Sequence, residues 1–197
     1  MDGEKLTPSL LLRAYRMGAF PMAHPERDNA VYWHTPDPRG VLPLEEFHVP
    51  GTLAKQVRRD LFCVTSDRAF HDVIRACADR ETTWISGDIE RAYTELHEHG
   101  HAHSVECWQD GQLAGGLYGV SLGGAFFGES MFYRVSNASK VALVHLVGRL
   151  RAAGFRLLDT QYATPHLEQF GVVEIPKEKY EKQLDEALAV DPAWPDF

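Results

Sequence analysis

The chain has 197 residues, of which 44% are hydrophobic and 24% charged, so it can bury a core as one domain, or one domain with a small appendage. A formal net charge of −8 argues against a general nucleic-acid binder, because neutralising phosphates needs many clustered Lys and Arg side chains. The cysteines Cys63, Cys77 and Cys107 are odd in number and widely spaced, which is typical of a reduced, cytoplasmic protein. No apolar run approaches the length of a membrane-spanning helix, so we expect no membrane partner.

The first element predicted along the chain is a helix over LTPSLLLRAYRMG. Thr7 can cap it, Pro8 suits its first position and Gly18 can end it. Residues 20–50 are rich in proline and have few periodic apolar residues, which predicts an extended, turn-rich segment.

One basic cluster follows, in KQVRRD. It contains Lys55, Arg58 and Arg59, and a helical spacing would bring the first two together. The cluster could hold a few phosphates or form an ordinary solvated face.

The middle of the chain predicts two amphipathic helices and a hairpin. Apolar residues recur with helical spacing at 70, 73, 74 and 77, and again at 89, 92, 93 and 96. HSVECWQDGQLAGGLYGV then predicts two strands joined by Asp110-Gly111, a type I′ turn signal. A short strand is expected at 125–127.

The last third predicts a long helix, a buried strand and a final helix. NASKVALVHLVGRLRAAG can be capped by Ser136 or Asn137 and ended by Gly154. FRLLDTQ is a buried strand, and a closing helix is expected over 176–189. A hairpin followed by helix and strand favours a mixed α/β (α+β) fold, with a mixed sheet covered by helices.

The segment GGAFFGESMF at 123–132 combines three glycines, adjacent aromatics and one acid, Glu129. Small residues let a substrate approach the backbone, Met131 and the aromatics supply an apolar wall, and Glu129 supplies a fixed negative charge. These contents suit a ligand with an apolar side chain and a cationic amine. The alternative is a glycine-rich strand bend with a partly exposed Glu.

A second polar pair lies in LLDTQ, at the end of an apolar strand. Asp159 and Gln161 are two residues apart and therefore project to the same face, where they could order an attacking group or relay a proton. The alternative is a buried Asp satisfied by backbone amides.

Four histidines at 97, 99, 101 and 103 raise the question of a metal site. Gly100 is expected to end the helix between them, there is no HExxH pattern, and no Cys or acid cluster completes the set. We therefore predict hydrogen-bonded or exposed histidines, and no metal.

Three tryptophans can pack in a core or line a site. For Trp33, Trp84 and Trp108 we expect burial in the core, and Trp84 is the best candidate for a site wall. Tyr15 and Arg39 are interpreted as surface or packing residues unless a pocket forms beside them.

Eight segments, in this order, resemble the leucyl/phenylalanyl-tRNA–protein transferase family. They read RMGAFPM, YWHTPDPRGVL, TWISGDIERAY, LHEHGHAHSVE, GGLYGV, GESMF, NASKVAL and LLDTQ, and the resemblance around them extends from about Leu6 to Pro176. The resemblance implies a small N-terminal part, residues 1–60, and a catalytic domain similar to the GNAT acyltransferases, residues 61–197. It also implies transfer of Leu or Phe, and of Met by relaxed selection, from aminoacyl-tRNA to the α-amine of proteins that begin with Arg or Lys. This tags them for N-end rule degradation.

The resemblance also assigns roles to residues. The catalytic pair falls on Asp159 and Gln161, with Asp159 orienting Gln161. No cofactor is implied, and the basic cluster becomes a candidate for tRNA phosphates. The expected substrate-pocket residues are Trp84 near the terminal adenosine, Leu117, Phe126, Gly128, Glu129, Met131 and Leu158.

The sequence departs from the family in two ways. Met22 stands where a Trp commonly follows FP, and the chain starts close to its first helix, so tRNA recognition is expected to be weaker or differently built. Two alternatives stay open: an acyl-CoA N-acyltransferase, although FYRVSNASK lacks the glycine-rich turn that a pyrophosphate needs, and a non-catalytic module that binds degron N-termini or tRNA ends. Nothing in the sequence indicates an oligomeric state.

Overall fold

The computed structural model of the chain describes residues 6–195. Residues 1–5 and 196–197, at the outer ends of the two expected domains, lie outside this part. The helices and strands in chain order are α1 Pro8–Arg16, β1 Phe20–His24, β2 Ala30–His34, β3 Arg39–Val41, α2 Gly51–Arg58, β4 Cys63–Ser66, α3 Phe70–Ala78, α4 Gly87–Glu98, β5 Ala102–Gln109, β6 Gln112–Leu122, β7 Ala125–Tyr133, α5 Ala138–Ala153, β8 Leu157–Gln161, α6 Pro165–Glu168, β9 Val173–Ile175 and α7 Lys177–Leu188.

A seven-stranded sheet has the order β4-β5-β6-β7-β8-β3-β9. β7 and β8 are parallel and joined through α5, while every other neighbouring pair is antiparallel. Helices cover both faces of this sheet, so the mixed α/β class predicted from the sequence is confirmed. None of the helices in residues 6–195 is long and apolar enough to cross a bilayer.

Two apolar cores lie on opposite faces of the sheet. One is built from α1, α3, α4 and α7 and contains Leu11, Ile74, Ile89 and Leu184. The other packs α2 and α5 on the sheet and contains Leu53 and the apolar side of α5. Helices therefore shield both faces of the sheet from solvent.

Local signals placed most elements correctly. Thr7 accepts a hydrogen bond from the Leu10 amide at 3.3 Å and so caps α1. The hairpin turn at Asp110-Gly111 has positive φ at both residues, 50° and 74°, as a type I′ turn requires. Gly154, at φ 88°, ends α5.

Four predictions need correction. The segment 20–50 is not wholly irregular, because it holds the β1–β2 hairpin and contributes β3 to the large sheet. The short strand expected at 125–127 continues to residue 133. Asn137 precedes α5 in a left-handed conformation, and its side chain makes no capping hydrogen bond. Trp33 is 42% exposed rather than buried, because β2 has its other side chains mostly in solvent.

Candidate active site

A cavity of about 310 Å³ opens where β7 and β8 separate. The two strands pair only from Ala125 to Phe127; beyond Gly128, β7 stays paired with β6 while β8 pairs with β3. The gap exposes side chains from both faces of the sheet. Its apolar wall, on the α5 side, consists of Leu117, Met131, Leu143, Leu146, Leu158 and Leu167.

A β-bulge places the single acid of the cavity. Tyr118 pairs with Ser130 and Gly119 with Gly128, so Glu129 is the extra residue of β7. A bulge reorients the side chain at its position, here toward the α1 and α4 side of the sheet. Gly119 is needed because a Cβ there would stand 2.3 Å from the Phe127 carbonyl oxygen.

The carboxylate of Glu129 is held by three donors from three elements. The Tyr15 hydroxyl of α1 donates to Oε1 at 2.7 Å, and the Tyr93 hydroxyl of α4 donates to Oε2 at 3.3 Å. Gln161 Nε2 of β8 donates to Oε1 at 3.1 Å. The two tyrosine hydroxyls also lie within hydrogen-bond distance of each other, and because each has a single proton, Tyr93 donates either to Glu129 or to Tyr15. One side of the carboxylate is thus fixed, and the residue remains partly accessible from the cavity.

Burial raises the pKa of Glu129 to about 7, and the negative charge of Asp159 adds to this rise. The hydrogen bonds from Tyr15 and Tyr93 act in the opposite direction. Burial and the nearby Glu129 raise the pKa values of both tyrosines well above their usual range, so they remain protonated donors. Glu129 is therefore able to gain or lose a proton close to neutral pH.

Asp159 lies behind the cavity in a closed ion pair. Arg39 of β3 donates to both carboxylate oxygens, at 3.0 and 2.7 Å, and Tyr180 of α7 donates to one of them at 2.6 Å. The backbone amide of Gln161 donates to the other carboxylate oxygen at 2.8 Å. Asp159 is fully buried and does not line the cavity, and its hydrogen bonds anchor the end of β8.

Gln161 has a backbone conformation that few residues adopt. Its φ is 59°, in the left-handed region, and the hydrogen bond from its amide to Asp159 holds it there. Gly40, its partner on β3, has no room for a side chain, because a Cβ would lie 2.4 Å from the Tyr162 carbonyl carbon. This arrangement directs the Gln161 amide group at Glu129.

Two family models match the sequence: leucyl/phenylalanyl-tRNA protein transferase over residues 41–185, and the N-terminal domain of that enzyme over residues 4–37. The leucyl/phenylalanyl-tRNA–protein transferase of Salinibacter ruber is 64% identical over 97% of this chain and 84% of its own length. That of Rhizorhabdus wittichii is 57% identical over 94% and 76%. The chain belongs to the leucyl/phenylalanyl-tRNA–protein transferase family. The resemblance drawn from the eight segments is thereby confirmed, and the protein is an aminoacyltransferase.

Among solved structures, similarity extends to a GNAT family acetyltransferase from Brucella melitensis in complex with acetyl-CoA. It is 14% identical with a TM-score of 0.47, covering 59% of this chain and 88% of that one.

The structure brings most of the expected site residues of this transferase together. Trp84, Leu117, Gly128, Glu129, Met131, Leu158 and Gln161 line the cavity. Phe126 does not, because it points into the core and stacks on Trp194 with ring centroids 5.4 Å apart. Lys55, Arg58 and Arg59 are exposed on and just after α2, outside the cavity wall.

Sequence reasoning assigned no site role to five polar residues of the transferase site: Tyr15, Arg39, Tyr93, Tyr118 and Tyr180. Tyr15 and Arg39 were interpreted as surface or packing residues, but they hold Glu129 and Asp159, and Tyr180 completes the ion pair. Tyr118 lines the cavity, and its buried hydroxyl has no hydrogen-bond partner within the described residues. The only local signal was a Tyr or Arg at an otherwise apolar position.

Three of the four histidines of LHEHGHAH make a hydrogen bond within the protein through Nδ1. His97 and His99 bond the backbone oxygens of Ala102 and Glu95, at 2.8 and 2.6 Å. His103 bonds Asp67 at 2.7 Å. Within residues 6–195 no group of three or more His, Cys, Asp or Glu side chains is arranged to hold a metal ion.

Proposed function

We propose that this transferase moves Leu or Phe, and also Met, from aminoacyl-tRNA to the N-terminal α-amine of proteins that begin with Arg or Lys. The observation that carries the proposal is an apolar chamber that ends at one carboxylate and one amide, Glu129 and Gln161, in the gap between β7 and β8. Addition of such a residue tags its acceptor for N-end rule degradation in the cytoplasm.

The apolar side of the cavity suits the side chain of the transferred amino acid. Its wall is made of leucines and Met131, with no charged group among them. A flexible methionine tolerates different shapes, and a methylene contributes only about 1–3 kcal/mol of discrimination, so Leu, Phe and Met would all be accepted. The ester end would then lie beside Glu129 and Gln161, with the terminal adenosine against Trp84.

The polar side suits the acceptor protein. A protein that begins with Arg or Lys has an α-ammonium and a cationic side chain, and Glu129 is the single carboxylate among the described residues that line the cavity. The net charge of −8 attracts such an acceptor over a distance.

The reaction joins the α-amine nitrogen to the ester carbonyl carbon and breaks the bond from that carbon to the ribose oxygen. The amine must lose a proton before or during attack, and the ribose oxygen must gain one. Glu129 is suited to this relay because burial raises its pKa to about 7. Gln161 positions the reacting groups, as an amide is a poor base, and Asp159 with Arg39 fixes Gln161. Lys55, Arg58 and Arg59 would contact phosphates of the tRNA body.

The test measures transfer of labelled Leu, Phe and Met from charged tRNA to peptides that begin with Arg, Lys, Asp or Ala. Transfer restricted to Arg and Lys is expected, with the rate lost in Glu129→Gln and kept in Glu181→Gln, which removes an exposed carboxylate from α7. Acetyl-CoA is offered as a competing donor, and acetylation in place of aminoacyl transfer would favour the acyl-CoA alternative. Binding of charged tRNA without transfer to any peptide would favour the non-catalytic module.

A further inference from the structure

A second cavity of about 490 Å³ adjoins the first at the end of β7. Arg80, Met131 and His166 line both cavities, so the two are contiguous. The second one is further lined by Tyr133, the last residue of the strand that carries Glu129, and by Arg134, which follows it. A substrate chain that leaves the first cavity at Arg80 therefore enters the second.

Two guanidinium groups stand at this second cavity without a carboxylate partner. Arg80 Nη2 donates to Ser130 Oγ at 3.3 Å and to a backbone oxygen, and Arg134 Nη1 donates to the Leu113 oxygen at 3.2 Å. Asp79 also lines the cavity, yet no acid of residues 6–195 forms an ion pair with either arginine. Both positive charges remain available to an anion.

An exposed aromatic ring accompanies these charges. Tyr133 is 63% exposed, among the most exposed large apolar side chains of the described residues. His166 Nε2 is buried at the junction of the cavities and has no hydrogen-bond partner among the described residues. Positive charge beside an exposed aromatic is the combination that binds single-stranded nucleic acid, since the base stacks while the phosphate is neutralised.

We infer that this second cavity binds the nucleotide that precedes the terminal adenosine of the donor tRNA, with Arg80 and Arg134 at the connecting phosphate and Tyr133 stacked on the base. The inference rests on the proposed function and adds a subsite to it. Trp84 and Arg80 lie on the same loop after α3 and both line the first cavity, so an adenosine beside Trp84 can direct its 5′ phosphate toward Arg80. The exposed cluster on α2 is a separate site that only the tRNA body would reach.

The test compares three donors that differ in length: phenylalanyl-adenosine, phenylalanylated pCpA and Phe-tRNA. Arg134→Ala is expected to raise KM about tenfold for the two donors that contain the phosphodiester, and to leave phenylalanyl-adenosine unchanged. Tyr133→Ala should show the same pattern, while Tyr133→Phe retains the ring and should behave as wild type. Lys182→Ala, which removes one exposed charge from α7, is the control for net charge.

A second readout is the salt dependence. Loss of one phosphate contact should reduce the slope of log(1/KM) against log[salt] by about 0.7 for pCpA in Arg134→Ala, and not in Lys182→Ala. Equal losses for all three donors, or no loss for any, would overturn the inference. Failure of wild type to transfer from any donor would instead refute the proposed function, and the inference with it.

Discussion

Glu129→Gln tests the electrostatics of the site through stability. The substitution keeps the shape of the side chain and replaces its ionisable carboxyl group by a neutral amide. In the folded protein the pKa of Glu129 is raised from 4.5 to about 7, mainly by burial. Between these values the folded state holds a proton that the unfolded state has released, so the free energy of unfolding of the wild type falls as pH rises.

The size of the effect follows from the same shift. Each pKa unit corresponds to about 1.4 kcal/mol, so the rise from 4.5 to about 7 gives an upper limit of about 3.5 kcal/mol for the whole titration. The difference in unfolding free energy between Glu129→Gln and wild type should therefore grow from pH 4.5 to pH 8 by as much as this. Any constant effect of the amide on the hydrogen bonds of Tyr15 and Tyr93 cancels in that comparison.

The assay is urea unfolding of both proteins at steps of half a pH unit from 4.5 to 8. Titrations of all other groups are common to the two proteins and cancel if the groups are distant. Glu181→Gln, on the exposed face of α7, is measured in parallel as a carboxylate outside the site. If the difference in unfolding free energy between wild type and Glu129→Gln stays constant across this range, the reasoning is refuted. A constant difference would mean that burial does not raise the pKa of Glu129.

Three further predictions concern the supports of the site. Arg39→Met leaves the fully buried Asp159 without its charge partner and should cost about 3–5 kcal/mol of unfolding free energy in guanidinium chloride; a loss below about 1 kcal/mol would contradict the closed ion pair. Tyr118→Phe removes an unpartnered buried hydroxyl, so thermal unfolding should show unchanged or higher stability, whereas a clear loss would reveal a missing partner. Gly119→Ala collides with the Phe127 carbonyl and should destabilise by about 1–3 kcal/mol in the same assay, and a neutral result would argue against the bulge.

The elements that the sequence predicted are those with a complete local signal. α1 has its cap, its first-turn proline and its closing glycine within 12 residues of each other, and the β5–β6 turn needs only Asp110 and Gly111. In α3 and α4 the apolar spacing alone defines the buried face. None of these requires knowledge of a distant part of the chain.

The strands of the β1–β2 hairpin have no such local signal. Prolines within the segment favoured an irregular chain, and most side chains of β2 face solvent, so neither strand shows alternation. A usable signal was present at the turn. Asp28 and Asn29 both have positive φ, 53° and 57°, which these two residue types tolerate best after glycine.

The convergence of the site depended on pairings that no local pattern encodes. Arg39 and Asp159 are 120 residues apart and meet because β3 inserts between β8 and β9. A sequence pattern could identify Asp159 as polar at a strand end, but not the arginine that neutralises it.

That neutralisation separates the roles of two neighbouring carboxylates. The charge of Asp159 raises the pKa of Glu129, and the charge of Arg39 lowers it, so the ion pair limits how strongly one acid acts on the other. Without Arg39, two buried carboxylates would share the site, and one of them would be forced to hold a proton. With it, Asp159 is committed to holding the end of β8, and Glu129 alone remains free to exchange a proton near neutral pH.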